Sequence, residues 1–190
     1  MRHINEKDIA ELIRRYNEWR RIYYYAGQAE PNEPDWQNDR LYFSDGYPYP
    51  DWSAYILERD PEGQYHVLHA STERRNIPLE TSRAVFSRIQ DAGKYIVYEI
   101  ADLLRVSLGL DSLEKKWRDA GLDPEVNKIF LSDKQAKYEL RSDAKAYLIA
   151  YSGGIQPYHH ILRLSYDQLD VALLEGFPES VTNRLPANPR

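Results

Sequence analysis

The stretch YILERDPEGQYHVLHAS over residues 55–71 returns as YELRSDAKAYLIAYS over residues 138–152 once two turn residues are dropped. Both copies carry Tyr, Leu, Asp, Tyr and a final Ser: Tyr55, Leu57, Asp60, Tyr65 and Ser71 in the first, Tyr138, Leu140, Asp143, Tyr147 and Ser152 in the second. In the first copy, Ala54 to Arg59 and Gln64 to Ala70 read as two strands. Asp60-Pro61-Glu62-Gly63 joins them as a tight turn, since Pro presets φ and Gly accepts a positive one. Upstream, Phe43-Ser44-Asp45 is matched by Leu131-Ser132-Asp133, and downstream each copy leads into a helical pattern. The chain therefore reads as two β-β-β-α units, residues 40–108 and 128–176. Two copies are too few to stack as a solenoid. The expectation is an α+β domain over residues 1–180, with the strands joined in one antiparallel sheet covered by helices, and a mobile tail over 181–190.

The helices come from the period of the apolar residues. Ile9, Leu12, Ile13, Tyr16, Trp19 and Tyr23 recur at steps of three and four between charged residues, which predicts an amphipathic helix from Glu6 to Tyr24. Val85, Ile89, Ala92, Ile96, Ile100, Leu103 and Leu104 keep the same spacing up to Gly109. They predict one long helix from Leu79 to Leu108, after a loop over Ser71 to Pro78. Gly93 inside it carries a propensity penalty of about 1 kcal/mol. A short helix follows from Ser112 to Ala120, ended by Gly121. Pro157 opens another, and Ser165-Tyr166-Asp167-Gln168 has the form of a capping box ahead of Leu169, Leu173 and Leu174.

Composition sets the outer bounds. A chain of 190 residues, 42% hydrophobic, can bury a core without cross-links. The chain contains no cysteine, which excludes disulfides, cysteine-based zinc or iron–sulfur sites and a cysteine nucleophile, and suggests the cytoplasm as its compartment. Met1 to Glu6 has no apolar segment of the secretory type. No apolar run reaches the roughly 18 residues of a membrane span. A net charge of −5 disfavours nucleic acid, whose binding needs a basic field, and favours a neutral or basic protein partner.

No phosphate-binding glycine loop, dinucleotide fingerprint or nucleophile elbow occurs, and no cofactor is expected. His66 and His69 lie three apart on a strand, on opposite faces, and so cannot share one metal ion. His159 and His160 invite an acid–base reading at a helix start, but no nucleophile accompanies them. The plainer reading is one surface and one core histidine. Ser152-Gly153-Gly154 is either a turn or a small anion nest, and Glu73-Arg74-Arg75 a loop cap or a phosphate contact. Acid pairs such as Glu58 with Asp60 or Glu73 with Glu80 are expected by chance in a chain with 30 carboxylates.

One stretch rises above this background. Across residues 28–52, Glu30, Glu33, Asp35, Asp39, Asp45 and Asp51 face a single Arg40. They are interleaved with Trp36, Tyr42, Phe43, Tyr47, Tyr49 and Trp52. Arg40 to Phe43 suits a strand and Asp45-Gly46 a turn. Tyr47-Pro48-Tyr49-Pro50-Asp51-Trp52 then forms a stiff exposed loop, because two prolines fix φ and withhold donors. Tyr and Trp dominate interface hot spots, and acids steer a basic partner. The candidate contact residues are therefore Trp36, Asp45, Tyr47, Tyr49, Asp51 and Trp52. The competing reading packs Tyr42, Phe43 and one Trp in the core.

The N-terminal amphipathic helix, the hairpin ending Tyr65-His66-Val67-Leu68-His69-Ala70-Ser71 and the long helix after it resemble bacterial immunity protein family 61 in order and pattern. So do Phe130-Leu131-Ser132-Asp133, Tyr138-Glu139-Leu140, Tyr147-Leu148-Ile149-Ala150 and the helix from Leu169 to Glu175. The family includes the immunity factor of tuberculosis necrotizing toxin, an NAD-degrading enzyme. The resemblance spans roughly Asp8 to Phe177. It implies an α+β antitoxin held in the producing cell's cytoplasm, bound 1:1 to a cognate protein toxin whose active site it blocks, with no catalysis of its own. No contact residue carries over from the family by motif. Two rivals stay open: an adaptor domain with an acidic aromatic loop, and a small hydrolase built on His159 or His160 with a carboxylate.

Overall fold

The computed structural model describes residues 6–47, 49–72, 77–151 and 156–185. Met1 to Asn5, Pro48, the Glu73-Arg74-Arg75 cluster, Ser152-Gly153-Gly154 and residues 186–190 lie outside the described residues. Helix α1 (Glu6–Tyr25) is followed by strands β1 (Asp35–Gln37), β2 (Arg40–Asp45), β3 (Ser53–Arg59), β4 (Tyr65–Ser71) and β5 (Leu79–Phe86). Helices α2 (Ile89–Ser107) and α3 (Leu113–Ala120) precede β6 (Val126–Ser132), β7 (Gln135–Leu140) and β8 (Asp143–Ala150). A 3-10 helix (Pro157–Arg163), α4 (Tyr166–Leu174) and α5 (Glu179–Thr182) complete the chain. The eight strands form one open antiparallel sheet in the order β1-β2-β3-β4-β5-β8-β7-β6, with the six helices packed against it.

The α+β reading holds, and β2-β3-β4 and β6-β7-β8 are the two related strand triplets. What joins them corrects the single helix predicted from Leu79. Residues 79–86 form a strand that pairs with β4 on one side and β8 on the other, and the helix starts only at Ile89. Val85 stands four residues before Ile89, so it extends the helical stripe by coincidence of spacing. Pairing on both sides, a non-local gain, decides its conformation. The repeat also slips in its second strand. Tyr65 lies opposite Phe86 on the helix-covered face, whereas Tyr147 lies opposite Glu139 on the other face, with Lys137 over its ring.

One face of the sheet carries the core. Leu41, Phe43, Leu57, Val67, Phe86, Tyr138 and Leu148 pack against Leu12, Tyr16 and Trp19 of α1 and Ile96 and Leu104 of α2. Among the described residues, the opposite face holds a small buried cluster, Ala54, Ile56 and Ala70, flanked by Tyr42, Trp52 and Leu68, and a buried Val85 apart from it. Two buried cations tie the C-terminal helices to α2. Lys94 Nζ donates to the carbonyls of Ile161 (2.8 Å) and Leu164 (2.5 Å) and pairs with Asp91. Arg105 donates to the carbonyls of Leu173, Glu175 and Asp111, supplying positive charge where α4 ends.

The capping box at Ser165 forms as its spacing predicts, with both reciprocal bonds to Gln168 present. Ser112 caps α3 by accepting from the Lys115 amide. Beyond Ser180, where the sequence has no apolar period, α5 buries Val181, and Leu185 packs on the core, so residues 181–185 are part of the packed structure.

Candidate partner-binding site

Asp45, the last residue of β2, lies opposite Ser53, the first of β3, so residues 46–52 connect two neighbouring antiparallel strands. Gly46 enters this loop at φ +78°, and a Cβ there would stand 3.1 Å from the Asp51 carbonyl, so the turn requires glycine. The Tyr49 amide closes a turn on the Gly46 carbonyl at 2.9 Å. Two outside residues then hold the loop in place. The buried Thr72 hydroxyl donates to the Pro50 carbonyl (2.6 Å) and accepts from the Trp52 amide (3.0 Å), and its own amide donates to the Trp52 carbonyl. Asn32 reaches from the other side, its Nδ2 donating to the Tyr47 carbonyl at 2.9 Å. The proline pair predicts stiffness, and these side-chain bonds supply most of the visible anchoring.

The loop's side chains divide by burial. Tyr49 is 73% exposed and Tyr47 56%, while Trp52 is half-buried over the Ala54 cluster and meets the Tyr47 ring edge-on at 5.8 Å. Asp45 and Asp51 are exposed. Five of the six candidate residues thus share this loop and its first hinge. Trp36 stands apart on β1 at the sheet's edge, paired with Leu41 and 46% exposed. Phe43 is in the core, as the competing reading has it, with Tyr16 edge-on at 4.8 Å.

Beside Asp45 opens a cleft of about 360 Å³ between α1, α2, the start of α3 and strands β2 to β4. Its acids are Asp45, Glu99, Asp102 and Glu114, and no lysine or arginine is among the described residues lining it. Glu99 accepts from the Tyr55 hydroxyl at 2.7 Å, and burial raises its carboxyl above the usual range even though Tyr95 and Arg83 lie beside it. Arg83 reaches that position through a β-bulge. Val67 lies opposite Ala84 and Leu68 opposite Ser82, which leaves Arg83 as the extra residue and turns it to the same face as Ala84. Asp102 accepts from the amides of Leu113 (2.5 Å) and Glu114 (3.3 Å), fixing the start of α3. His69 lies against Tyr55 with ring centroids 5.0 Å apart and planes tilted by 56°, and burial pushes its imidazole down.

This cleft is what sequence reasoning missed. Asp45 belongs to the candidate set, but Glu99, Asp102 and Glu114 come from two helices far along the chain, and no local motif links them. A second cleft, near 500 Å³, lies along α1 and α4. There Arg15 pairs with Glu11, Asp167 and Asp170, and the Trp19 indole donates to Asp170 at 2.8 Å, so its charges serve helix packing.

Among the described residues, His66, His159 and His160 are committed to structure. His66 pairs with Asp60 at 2.8 Å on the face opposite His69, as strand geometry requires. His159 is fully buried and stacked on Tyr138. Its Nδ1 donates to the Gln156 carbonyl (2.5 Å) and its Nε2 accepts from the Asp123 amide (3.0 Å). His160 lies on Trp117 and between the Gly121 carbonyl and Asp123, the latter also bound by Arg163. Neither His159 nor His160 lines either cleft. Among the described residues, no group of three or more His, Asp or Glu is placed to hold a metal ion, and no helix is long and apolar enough to cross a membrane.

The molecule is thus an α+β protein whose eight-stranded sheet presents an anchored acidic, aromatic loop after Asp45 and, lined by Asp45 itself, an acidic cleft between sheet and helices. In fold it resembles Rv3902c from M. tuberculosis, with a TM-score of 0.59 and 13% identity over 87% of each chain. At that identity the likeness is one of fold alone. No family model and no curated protein matches the sequence.

Proposed function

We propose that this protein is an immunity protein: a cytoplasmic antitoxin that binds a cognate bacterial toxin 1:1 and covers its active site without chemistry of its own. The observation that carries this reading is the loop of residues 46–52. Thr72 and Asn32 hold its backbone, while Tyr47 and Tyr49 remain exposed. Large exposed aromatics on a pre-ordered backbone lose little entropy on binding, which is the property of an interface anchor. The net charge of −5 and the exposed Asp45 and Asp51 suit a partner with a basic surface around its active site. The order of elements resembles immunity protein family 61, and that resemblance suggests an NAD-degrading glycohydrolase as the toxin.

The test is co-expression with the polypeptide encoded immediately upstream, scored for survival, NAD level and co-purification. Rescue with a stable complex is expected, burying about 1,200–2,000 Å² in total. NAD loss in unprotected cells would identify the chemistry. Absence of both rescue and complex would refute the antitoxin reading.

A further inference from the structure

The cleft beside Asp45 has a lining that selects for charge. Two of its carboxylates are already used by the protein: Glu99 by the Tyr55 hydroxyl with Arg83 behind it, and Asp102 by the first amides of α3. Arg105 lies 3.8 Å from Asp102, but it spends its N–H groups on backbone carbonyls. The other two acids stand at the rim: Asp45, exposed at the end of β2, and Glu114 in the first turn of α3, whose ion-pair partner Arg118 is itself 66% exposed. The lining also carries the rings of Tyr16, Tyr23, Phe43, Tyr55 and Tyr98. Tyr16 and Tyr23 point their hydroxyls at the carbonyls of Asn32 and Ile100 (2.8 Å each), which fixes the rings.

An anion would be repelled here, and an apolar group would strip water from the carboxylates without replacing its hydrogen bonds. A cation gains from both acids and ring faces. Guanidinium suits this wall better than ammonium, because it is planar, weakly hydrated, stacks on aromatic rings and can grip a carboxylate through two N–H groups. The volume, about 360 Å³, is at the small end of the roughly 300–1,000 Å³ range of ligand pockets and suits a single side chain. We propose that the cleft seats a guanidinium group, carried by an arginine side chain of the protein partner. This rests on the partner-binding reading above and specifies its chemistry.

The probe is N-acetyl-arginine methylamide, titrated into the full chain and followed by backbone amide NMR, with the neutral isostere N-acetyl-citrulline methylamide alongside. Saturable shifts at Tyr55, Tyr98 and Glu99 are expected with the arginine compound and not with the citrulline one. Asp45→Asn with Glu114→Gln, both at the rim and so compatible with folding, should weaken binding about tenfold or more. Equal binding of the two compounds, shifts confined to other surfaces, or an unchanged affinity of the folded double variant would each overturn the assignment. None of these readouts involves the partner. In the complex, the same double variant should bind the partner about tenfold more weakly. Full retention of affinity would remove the cleft's role and leave the loop's intact, whereas failure to form any complex would remove the partner itself.

Discussion

Thr72 and Trp52 are bonded to each other twice: the Trp52 amide donates to the Thr72 hydroxyl at 3.0 Å and the Thr72 amide donates to the Trp52 carbonyl at 3.0 Å, with the hydroxyl also 3.1 Å from that carbonyl. The pair closes the far end of the 46–52 loop, and the same hydroxyl also holds the Pro50 carbonyl. Thr72→Val keeps the shape and removes the hydroxyl, leaving the Trp52 amide and the Pro50 carbonyl short of a partner. Folded-state stability should fall by about 1–3 kcal/mol in urea unfolding. Amide exchange at Trp52 should accelerate by more than global unfolding explains. Unchanged exchange would mean that the Thr72 hydroxyl does not hold the loop.

Tyr49 and Trp52 should separate contact from scaffold. Tyr49 is 73% exposed, so Tyr49→Ala should change stability by less than about 0.5 kcal/mol. Trp52 packs against Tyr47 and the Ala54, Ile56 and Ala70 cluster, so its truncation should lower stability as well as affinity. Together the two substitutions should weaken a toxin complex by at least about 2 kcal/mol. A folded double variant with full affinity, measured by calorimetry, would remove the loop from the interface.

Gly93 reverses the expectation drawn from helix propensity. By propensity alone, alanine there would stabilise α2 by about 1 kcal/mol. In the fold a Cβ at Gly93 would stand 2.1 Å from the Tyr166 hydroxyl and 3.2 Å from Leu12 Cδ1, so α4 and α1 pack directly on the bare backbone. Gly93→Ala should therefore destabilise by about 1–3 kcal/mol, as overpacking does. The Tyr166 hydroxyl is buried with no hydrogen-bond partner among the described residues, so Tyr166→Phe should recover part of the loss in the double variant. A thermal midpoint that rises in Gly93→Ala would contradict this packing.

The same contrast marks how far the sequence could be read. Helix α1, the β3-β4 hairpin, the capping box at Ser165 and the exposed Tyr47 and Tyr49 were legible because each is set by spacing or turn chemistry within a few residues. Strand β5 was not, since pairing with β4 and β8 outweighs a helical stripe that Val85 happens to extend. Strand β1 is only three residues long, and its signal was the Asn38-Asp39 turn, whose φ angles of 50° and 64° are ones that Asn and Asp tolerate. The acidic cleft was illegible in principle, for Asp45, Glu99 and Glu114 meet only through tertiary packing.

His159 gives the fold a defined sensitivity to acid. Burial pushes its imidazole down to about 4, from 6.5 in the unfolded chain, and the neutral ring is what fits, donating through Nδ1 to Gln156 and accepting at Nε2 from Asp123. Between these two values the unfolded state holds a proton that the folded state refuses, so stability rises with pH across the window and falls as pH drops from about 6.5 towards 4. The full shift corresponds to roughly 3 kcal/mol. Other groups titrate nearby, and burial raises the carboxyls of Glu99, Asp102 and Asp170, which acts in the opposite direction on acidification. The contribution of His159 is therefore isolated by comparison with His159→Gln, which cannot titrate. The stability gap between wild type and variant in urea unfolding should shrink by roughly 3 kcal/mol from pH 7 to pH 4. A gap that stays constant over that range would show that His159 is free to take up a proton in the folded protein, against its two backbone bonds.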